Sequence, residues 1–155
     1  MLPLDRVREF FAQIPSPPEI IILEQNTSTA ALAAEALGVE VGQIAKTLVF
    51  TGKKEQAVVV VTCGDVKVDI KKLKKVVGFK PKFASSTEVE VLTGFSPGGV
   101  CPFALLKPLP VFLDVSMKRF PLVYAAAGTP NSAVPIDFSR LLTLTDGQVC
   151  DVCSS

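Results

Sequence analysis

Apolar and polar positions divide the chain into short, clearly punctuated segments. Leu4, Val7, Phe10, Phe11 and Ile14 recur at helical spacing, and Pro15-Ser16-Pro17-Pro18 stops that first helix. Residues 19–23 read as a strand rich in β-branched side chains. A second helix is predicted over Ala30–Leu37, capped by Thr27 or Ser28 and closed by Gly38. Residues 46–51 and 56–62 read as the arms of a hairpin around Gly52-Lys53-Lys54-Glu55, and the unbroken valines 58–61 predict a strand covered on both faces. Asp69 is placed to cap a helix over Ile70–Val77, with Ile70, Leu73 and Val76 or Val77 inward, lysines outward and Gly78 at its end. A strand over 79–84 and a short helix opened by Ser86 or Thr87 and running to Leu92 come next. Strands over 111–115 and 122–127 follow, joined by a polar turn at Lys118-Arg119. A helical turn over 138–142 and a strand over 148–152 close the chain. Strands and helices interleave irregularly, without repeat or linker. This predicts one domain over residues 1–155, of the α/β (α+β) class, with helices packed around a mixed sheet.

One position breaks the pattern. In Ile44-Ala45-Lys46-Thr47-Leu48-Val49-Phe50, strand alternation puts Lys46 on the face of Ile44, Leu48 and Phe50. An ammonium there is paired, is neutralised, or faces a cavity that receives an anion. Alternatively it lies near the strand entrance and snorkels to water. The segment alone leaves both readings open.

Composition narrows the chemistry. With 155 residues, 48% hydrophobic and 20% charged, the chain has the make-up of an ordinary globule with a sizeable core. No apolar stretch approaches the ~20 residues of a membrane helix, and the first residues lack the pattern of a signal peptide. A cytoplasmic protein with no membrane contact is expected. The net charge of +1 hides an asymmetry: residues 67–82 hold seven lysines against Asp69 alone. Such a cluster either attracts a polyanion such as nucleic acid or forms a plain solvated helix face. The chain has no histidine, which excludes Ser-His-Asp triads, Cys-His dyads and histidine metal centres. No phosphate-binding GxxxxGK[ST] loop and no GxGxxG fingerprint occurs. Cys63 and Cys101 sit singly in apolar surroundings, as small buried hydrophobes do. Cys150-Asp151-Val152-Cys153 is half a zinc site with no second half, leaving a thiol, disulfide or metal role as a minor alternative. No metal and no cofactor are expected. Chemistry must come from lysine, hydroxyls, backbone amides or the substrate itself.

Two further segments stand out. Thr93-Gly94-Phe95-Ser96-Pro97-Gly98-Gly99-Val100-Cys101-Pro102 carries three glycines and two prolines, so it is expected to hold backbone angles closed to other residues. Its N–H groups can form an anion- or oxyanion-binding nest, or the loop is a plain connector. Ala125-Ala126-Ala127 leading into Gly128 lets another group approach the backbone closely. Asn131 and Ser132 follow with hydrogen-bonding side chains.

Together, Lys46-Thr47-Leu48 after Leu37-Gly38, Gly64-Asp65 after a valine strand, Thr93-Gly94 running into Gly98-x-x-x-Pro102, and Ala126-Ala127-Gly128 resemble the YbaK-like family. This family includes the editing domain of bacterial prolyl-tRNA synthetases and its free-standing relatives. The likeness runs from about Thr29 to Val152. It implies a YbaK-like fold with a partly barrel-like sheet, and hydrolysis of the ester joining a wrong amino acid to the 3′ end of a tRNA, chiefly tRNA(Pro). The tRNA 3′ aminoacyl end is then the partner, with prolyl-tRNA synthetase a second candidate. The matching lysine implies that Lys46 meets the terminal nucleotide or its phosphate. The matching glycine implies that Gly98 lines the aminoacyl pocket. The candidate site comprises Lys46, Gly98 and Gly99 as catalytic groups, with Thr47, Thr93, Gly94, Pro102, Ala126, Gly128, Asn131 and Ser132 around the substrate. Lys71, Lys72, Lys74 and Lys75 are candidates for the tRNA backbone. Some relatives carry a histidine or serine near the segment matching Ala126–Gly128, where this chain has alanines, so the amino acid removed stays open. A non-catalytic module that binds tRNA ends or a small ligand is the competing reading.

Overall fold

Val59 and Val61 belong to the main core, whereas Val58 and Val60 pack in a second, smaller one with Phe50, Leu73 and Phe112. The valine run is therefore the central strand expected from its lack of alternation. The structure, a computed structural model, describes residues 1–154. In chain order the elements are α1 (Pro3–Ala12), β1 (Ile21–Ile22), α2 (Ala30–Leu37), β2 (Ala45–Thr51), β3 (Ala57–Cys63) and β4 (Lys67–Val68). Next come α3 (Ile70–Val77), β5 (Lys82–Phe83), α4 (Ser86–Thr93), β6 (Val111–Asp114) and β7 (Val123–Ala125). The chain ends with β8 (Ser132–Ile136), α5 (Phe138–Thr145), β9 (Gln148–Cys150) and β10 (Cys153–Ser154). Short 3-10 turns lie at Val41–Gln43, Pro97–Gly99 and Val115–Arg119.

The principal sheet runs β5-β2-β3-β6-β9. β2 pairs antiparallel with β3 and β5, while β3-β6 and β6-β9 are parallel. A three-stranded sheet β1-β8-β7 and the pair β10-β4 complete a mixed α+β architecture. None of these sheets closes, so the barrel-like expectation is replaced by open sheets with free edges. α3 lays Leu73 on one face of the principal sheet. Val7 and Phe11 of α1 and Leu141 of α5 join the main core.

Several boundaries differ from the sequence pattern for local reasons. Thr29, not Thr27 or Ser28, caps α2 by accepting from the Leu32 N–H at 3.2 Å. Ser85, not Ser86 or Thr87, caps α4 in a reciprocal box with Glu88. The strand expected over 79–84 is only β5, because Pro81 cannot donate to a ladder. The polar turn at Lys118-Arg119 is the last part of the Val115–Arg119 3-10 turn, whose start is capped by Asp114. β8 was hidden by Pro135. Its partner β1 reaches only Ser132 and Ala133, so β8 is an edge where Pro135 sits opposite Tyr124, and proline is tolerated there.

A candidate active site

Even-numbered residues of β2 share one face. Phe50 and Leu48 belong to the cluster under α3, and Ile44 packs with Ala33 and Ala34 of α2. Lys46 shares this face, opposite Thr62 of β3, but is only half-buried. Its aliphatic stem continues the apolar row toward a hollow. Thr47, buried to 7% exposure on the other face, lines the same hollow, and its Oγ1 has no hydrogen-bond partner among the described residues.

The hollow has a volume of about 80 Å³. Ile44, just ahead of β2, and Lys46 and Thr47 of β2 form one wall. A second wall is the 27–30 segment, where α2 begins. A third is Pro97, Gly98 and Val100, and Ala125, Ala126 and Ser132 form the fourth. The N-terminal end of α2 brings the positive end of a helix dipole to the cavity that Lys46 also lines. Among the described residues no carboxylate or thiol lines it. The site is an electropositive recess.

The glycine loop is held differently from expectation. Gly98 and Gly99 lie in a right-handed 3-10 turn, and only Gly94 in this loop takes a positive φ, +79°, at the end of α4. Gly99 is required by proximity instead. A Cβ there would lie 2.7 Å from the Thr129 N and Cα and 2.8 Å from the Gly128 carbonyl carbon. Two backbones thus pack against each other, with Gly128 (φ +94°) closing the facing turn. The Gly99 N–H donates to the Ser96 carbonyl at 2.9 Å, within the turn. Gly98 keeps a backbone N–H without a protein acceptor among the described residues.

Ser132 accepts from the Ala127 N–H at 2.9 Å and donates to the Thr129 carbonyl at 3.0 Å, fixing the Gly128 turn. Asn131 donates to the Leu23 carbonyl at 3.2 Å, outside the hollow. Thr93 is fully buried, donates to the Val89 carbonyl at 2.7 Å and accepts from the Phe95 N–H at 3.1 Å. Of the residues the sequence singled out, Lys46, Thr47, Gly98, Ala126 and Ser132 meet at the hollow. Thr93, Gly94, Gly99, Pro102, Gly128 and Asn131 do not line it.

Residues 24–144 match the aminoacyl-tRNA editing domain family. The chain belongs to that family. YwhH of Bacillus subtilis (strain 168), an uncharacterized protein, is 40% identical over 97% of this chain and 96% of its own length. EbsC of Enterococcus faecalis (strain ATCC 700802 / V583), named as a candidate Cys-tRNA(Pro)/Cys-tRNA(Cys) deacylase, is 33% identical over 80% of this chain and 76% of its own. A solved structure of a candidate trans-editing enzyme for prolyl tRNA synthetase superposes with a TM-score of 0.91 at 37% identity, covering 99% and 98% of the two chains. The structure of hypothetical protein APE2540 gives a TM-score of 0.90 at 30% identity, over 96% of this chain and 99% of that one.

This editing domain holds its glycine loop with a residue that the pattern of the sequence does not reveal and that lies ahead of the matched region. The Arg6 guanidinium of α1 donates to the Gly94 carbonyl at 2.9 Å, to the Thr93 carbonyl at 3.1 Å and to the Ala104 carbonyl. It also stands 4.5 Å over the Phe95 ring. One planar, five-donor cation thus gathers both ends of the loop that carries Gly98. Nothing in an amphipathic helix pattern marks such an arginine. Tyr124, Thr27, Ser28 and Thr29, which the sequence marks at most as helix caps, also line the hollow.

Gly64-Asp65, part of the family resemblance, has a structural account. Asp65 forms a two-pronged pair with Arg119 at 2.6 and 3.1 Å. The Arg119 hydrogen bonds hold the Asp65 carboxyl below its usual range. The lysine-rich α3 packs on the face of the principal sheet that carries Lys46, so Lys71, Lys72, Lys74 and Lys75 stand exposed on the same side of the editing domain. All four cysteines are free. Burial, with Asp114 nearby, pushes the Cys150 and Cys153 thiols up to about 12, which leaves them protonated at neutral pH and poor nucleophiles or ligands. Among the described residues no cluster of cysteine and carboxylate groups could hold a metal ion, and no helix is long and apolar enough to cross a membrane.

Proposed function

We propose that this chain is a trans-editing aminoacyl-tRNA deacylase, which frees a wrongly attached amino acid (alanine, cysteine, serine or threonine) from the 3′ end of a tRNA, chiefly tRNA(Pro). One observation carries the reading: Lys46 of β2 and Gly98 of the 97–99 turn, distant in sequence, line one small electropositive hollow. Family membership and the two deacylase-type relatives support it.

The roles follow from the geometry. Lys46 anchors the phosphate or ribose of the terminal adenosine at the mouth. The Gly98 N–H is the unoccupied donor that receives the ester carbonyl and stabilises its oxygen as negative charge develops. Thr47, Ala126 and Ser132 shape the floor. Ser132 is not the nucleophile, because its hydroxyl proton is already given to the Thr129 carbonyl. Water adds to the carbonyl carbon, the bond to the ribose oxygen breaks, and that oxygen leaves with a proton to give free amino acid and tRNA. With no enzymic base lining the hollow, the neighbouring ribose hydroxyl relays the proton. The ester is already activated, so positioning and oxyanion stabilisation suffice.

Size explains the choice of substrate. A synthetase pocket gains only ~1–3 kcal/mol per methylene, so smaller amino acids are charged in error. A recess of about 80 Å³ holds only a few water-sized groups, which suits such side chains. The same reading places the protein in the cytoplasm, beside prolyl-tRNA synthetase.

The test is deacylation of tRNA(Pro) charged in turn with Ala, Cys, Ser and Thr. Turnover of at least one is expected, and Lys46→Ala should lower kcat/KM by about 10–150-fold, the loss of one charge-assisted hydrogen bond of about 1.5–3 kcal/mol. Undiminished turnover in Lys46→Ala would remove the site. The absence of a base among the lining residues favours one second reading, a non-catalytic binder of tRNA ends. Binding of tRNA(Pro) with no turnover of any of the four esters would establish it.

A further inference from the structure

Phe83 is 62% exposed, the most exposed aromatic residue of the chain, where the other phenylalanines are buried or half-buried. It belongs to β5, the two-residue strand that pairs with β2, and sits directly opposite Phe50. The rings lie 4.6 Å apart at 37°. Paired residues of antiparallel strands share a face, so Phe83 projects from the face of the sheet that carries Leu48 and Lys46. The path from Phe50 to Lys46 is four residues of one strand, about 14 Å, with half-buried Leu48 between. Exposed Lys80 precedes Phe83 by three positions, and the lysine face of α3 stands on the same side of the sheet as its ring, whereas Lys82, paired with Thr51, points to the opposite face. An aromatic ring braced from below, open above and on the same side of the sheet as a lysine-rich helix has the make-up of a stacking platform for an unpaired nucleic-acid base.

We propose that Phe83 stacks a base of the single-stranded 3′ end of the tRNA, upstream of the terminal adenosine held at Lys46, and so sets the strand's path into the hollow. The inference rests on the tRNA reading of the site and extends it from the aminoacyl group to the nucleotides behind it. The platform reads no base identity, because every base offers a π face. Its contribution is affinity and registration. Lys80 and the lysines of α3 supply the matching charge to the phosphates.

The experiment measures binding of uncharged tRNA(Pro) transcript by fluorescence anisotropy, with a second transcript lacking its four 3′ nucleotides. Phe83→Ala and Phe83→Leu should raise Kd for the full transcript by about 5–150-fold, the loss of one stacked base. Phe83→Tyr should bind within about twofold of the parent, since the ring is kept, and melting temperatures report that all three variants are folded. On the truncated transcript parent and variants should bind alike. Equal binding of Phe83→Ala and parent to the full transcript overturns the proposal, as does an equal loss on the truncated one. Failure of the deacylase reading registers separately, as a parent chain that hydrolyses no charged tRNA.

Discussion

Gly98 and Gly99 are adjacent, both in a right-handed turn, and alanine is expected to have opposite effects at the two. At Gly99 an added Cβ meets backbone atoms at 2.7–2.8 Å, on a turn that is itself fixed by Gly128 and Ser132. Backbone cannot rotate out of the way as a side chain can, so the 97–99 turn must move off the 128–129 segment. Overpacking of this kind costs about 1–3 kcal/mol, which for a chain of this length lowers Tm by roughly 2–12 °C. At Gly98 the nearest atoms are the Ser28 Cβ at 3.2 Å and the Pro130 Cβ at 3.7 Å. Ser28 is exposed and need yield only a few tenths of an ångström. Alanine also narrows the unfolded ensemble, a gain of about 0.4–1 kcal/mol where the backbone angles suit it, so Gly98→Ala should melt within about 2 °C of the parent. The new methyl, however, stands at the wall of a hollow of about 80 Å³, and turnover should fall most for the larger esters. Thermal melts and deacylation rates of the two variants decide the matter. A Gly99→Ala variant as stable as the parent, or a Gly98→Ala variant less stable than Gly99→Ala, would refute the reasoning.

Other outcomes follow from the surrounding contacts. Arg6→Ala strips three carbonyls and the Phe95 face of their cation. It should cost about 2–3 kcal/mol of stability and lower kcat at a temperature where the variant is still folded, with Arg6→Lys recovering only part, as urea titration and single-turnover rates will show. Changing Lys71, Lys72, Lys74 and Lys75 to Gln together should weaken tRNA binding and flatten the plot of log Kd against log salt by up to about 3 units, or ~0.7–0.9 for each phosphate no longer neutralised. An unchanged slope would make α3 a plain solvated helix. Asp65→Asn removes a carboxylate whose folded pKa is depressed by Arg119. The stability it confers is present above the ordinary carboxylate pKa and is lost as pH falls through the depressed value, so parent and variant should differ at pH 7 and converge in acid. The pair is 39–44% exposed, so water limits the difference to about 1 kcal/mol or less, measurable by denaturant titration across pH.

What the sequence shows and what it hides divide along a physical line. Elements whose signals are local were legible. The caps Asp69 and Gly38, the lysines on the outer face of α3 and the unalternating valines of β3 each state their environment within a few residues. Lys46 was legible for the same reason, as a charge in an apolar alternation. The supports of the site were not, because their partners lie far along the chain. Arg6 clamps a loop some ninety positions away, and Gly99 needs to be glycine only because Gly128 and Thr129 pass against it. The glycine-rich loop was expected to need unusual angles, but glycine answers two separate demands, and at Gly99 space outweighed conformation. β8 was missed because Pro135 argues against a strand unless one knows that β1 stops short of it. The hollow therefore has walls readable one residue at a time and a shape set by long-range packing. A substitution at a wall should alter which ester is cleaved, and one behind it should alter whether the hollow holds together at all. Comparing Gly98→Ala with Gly99→Ala tests that division within a single turn.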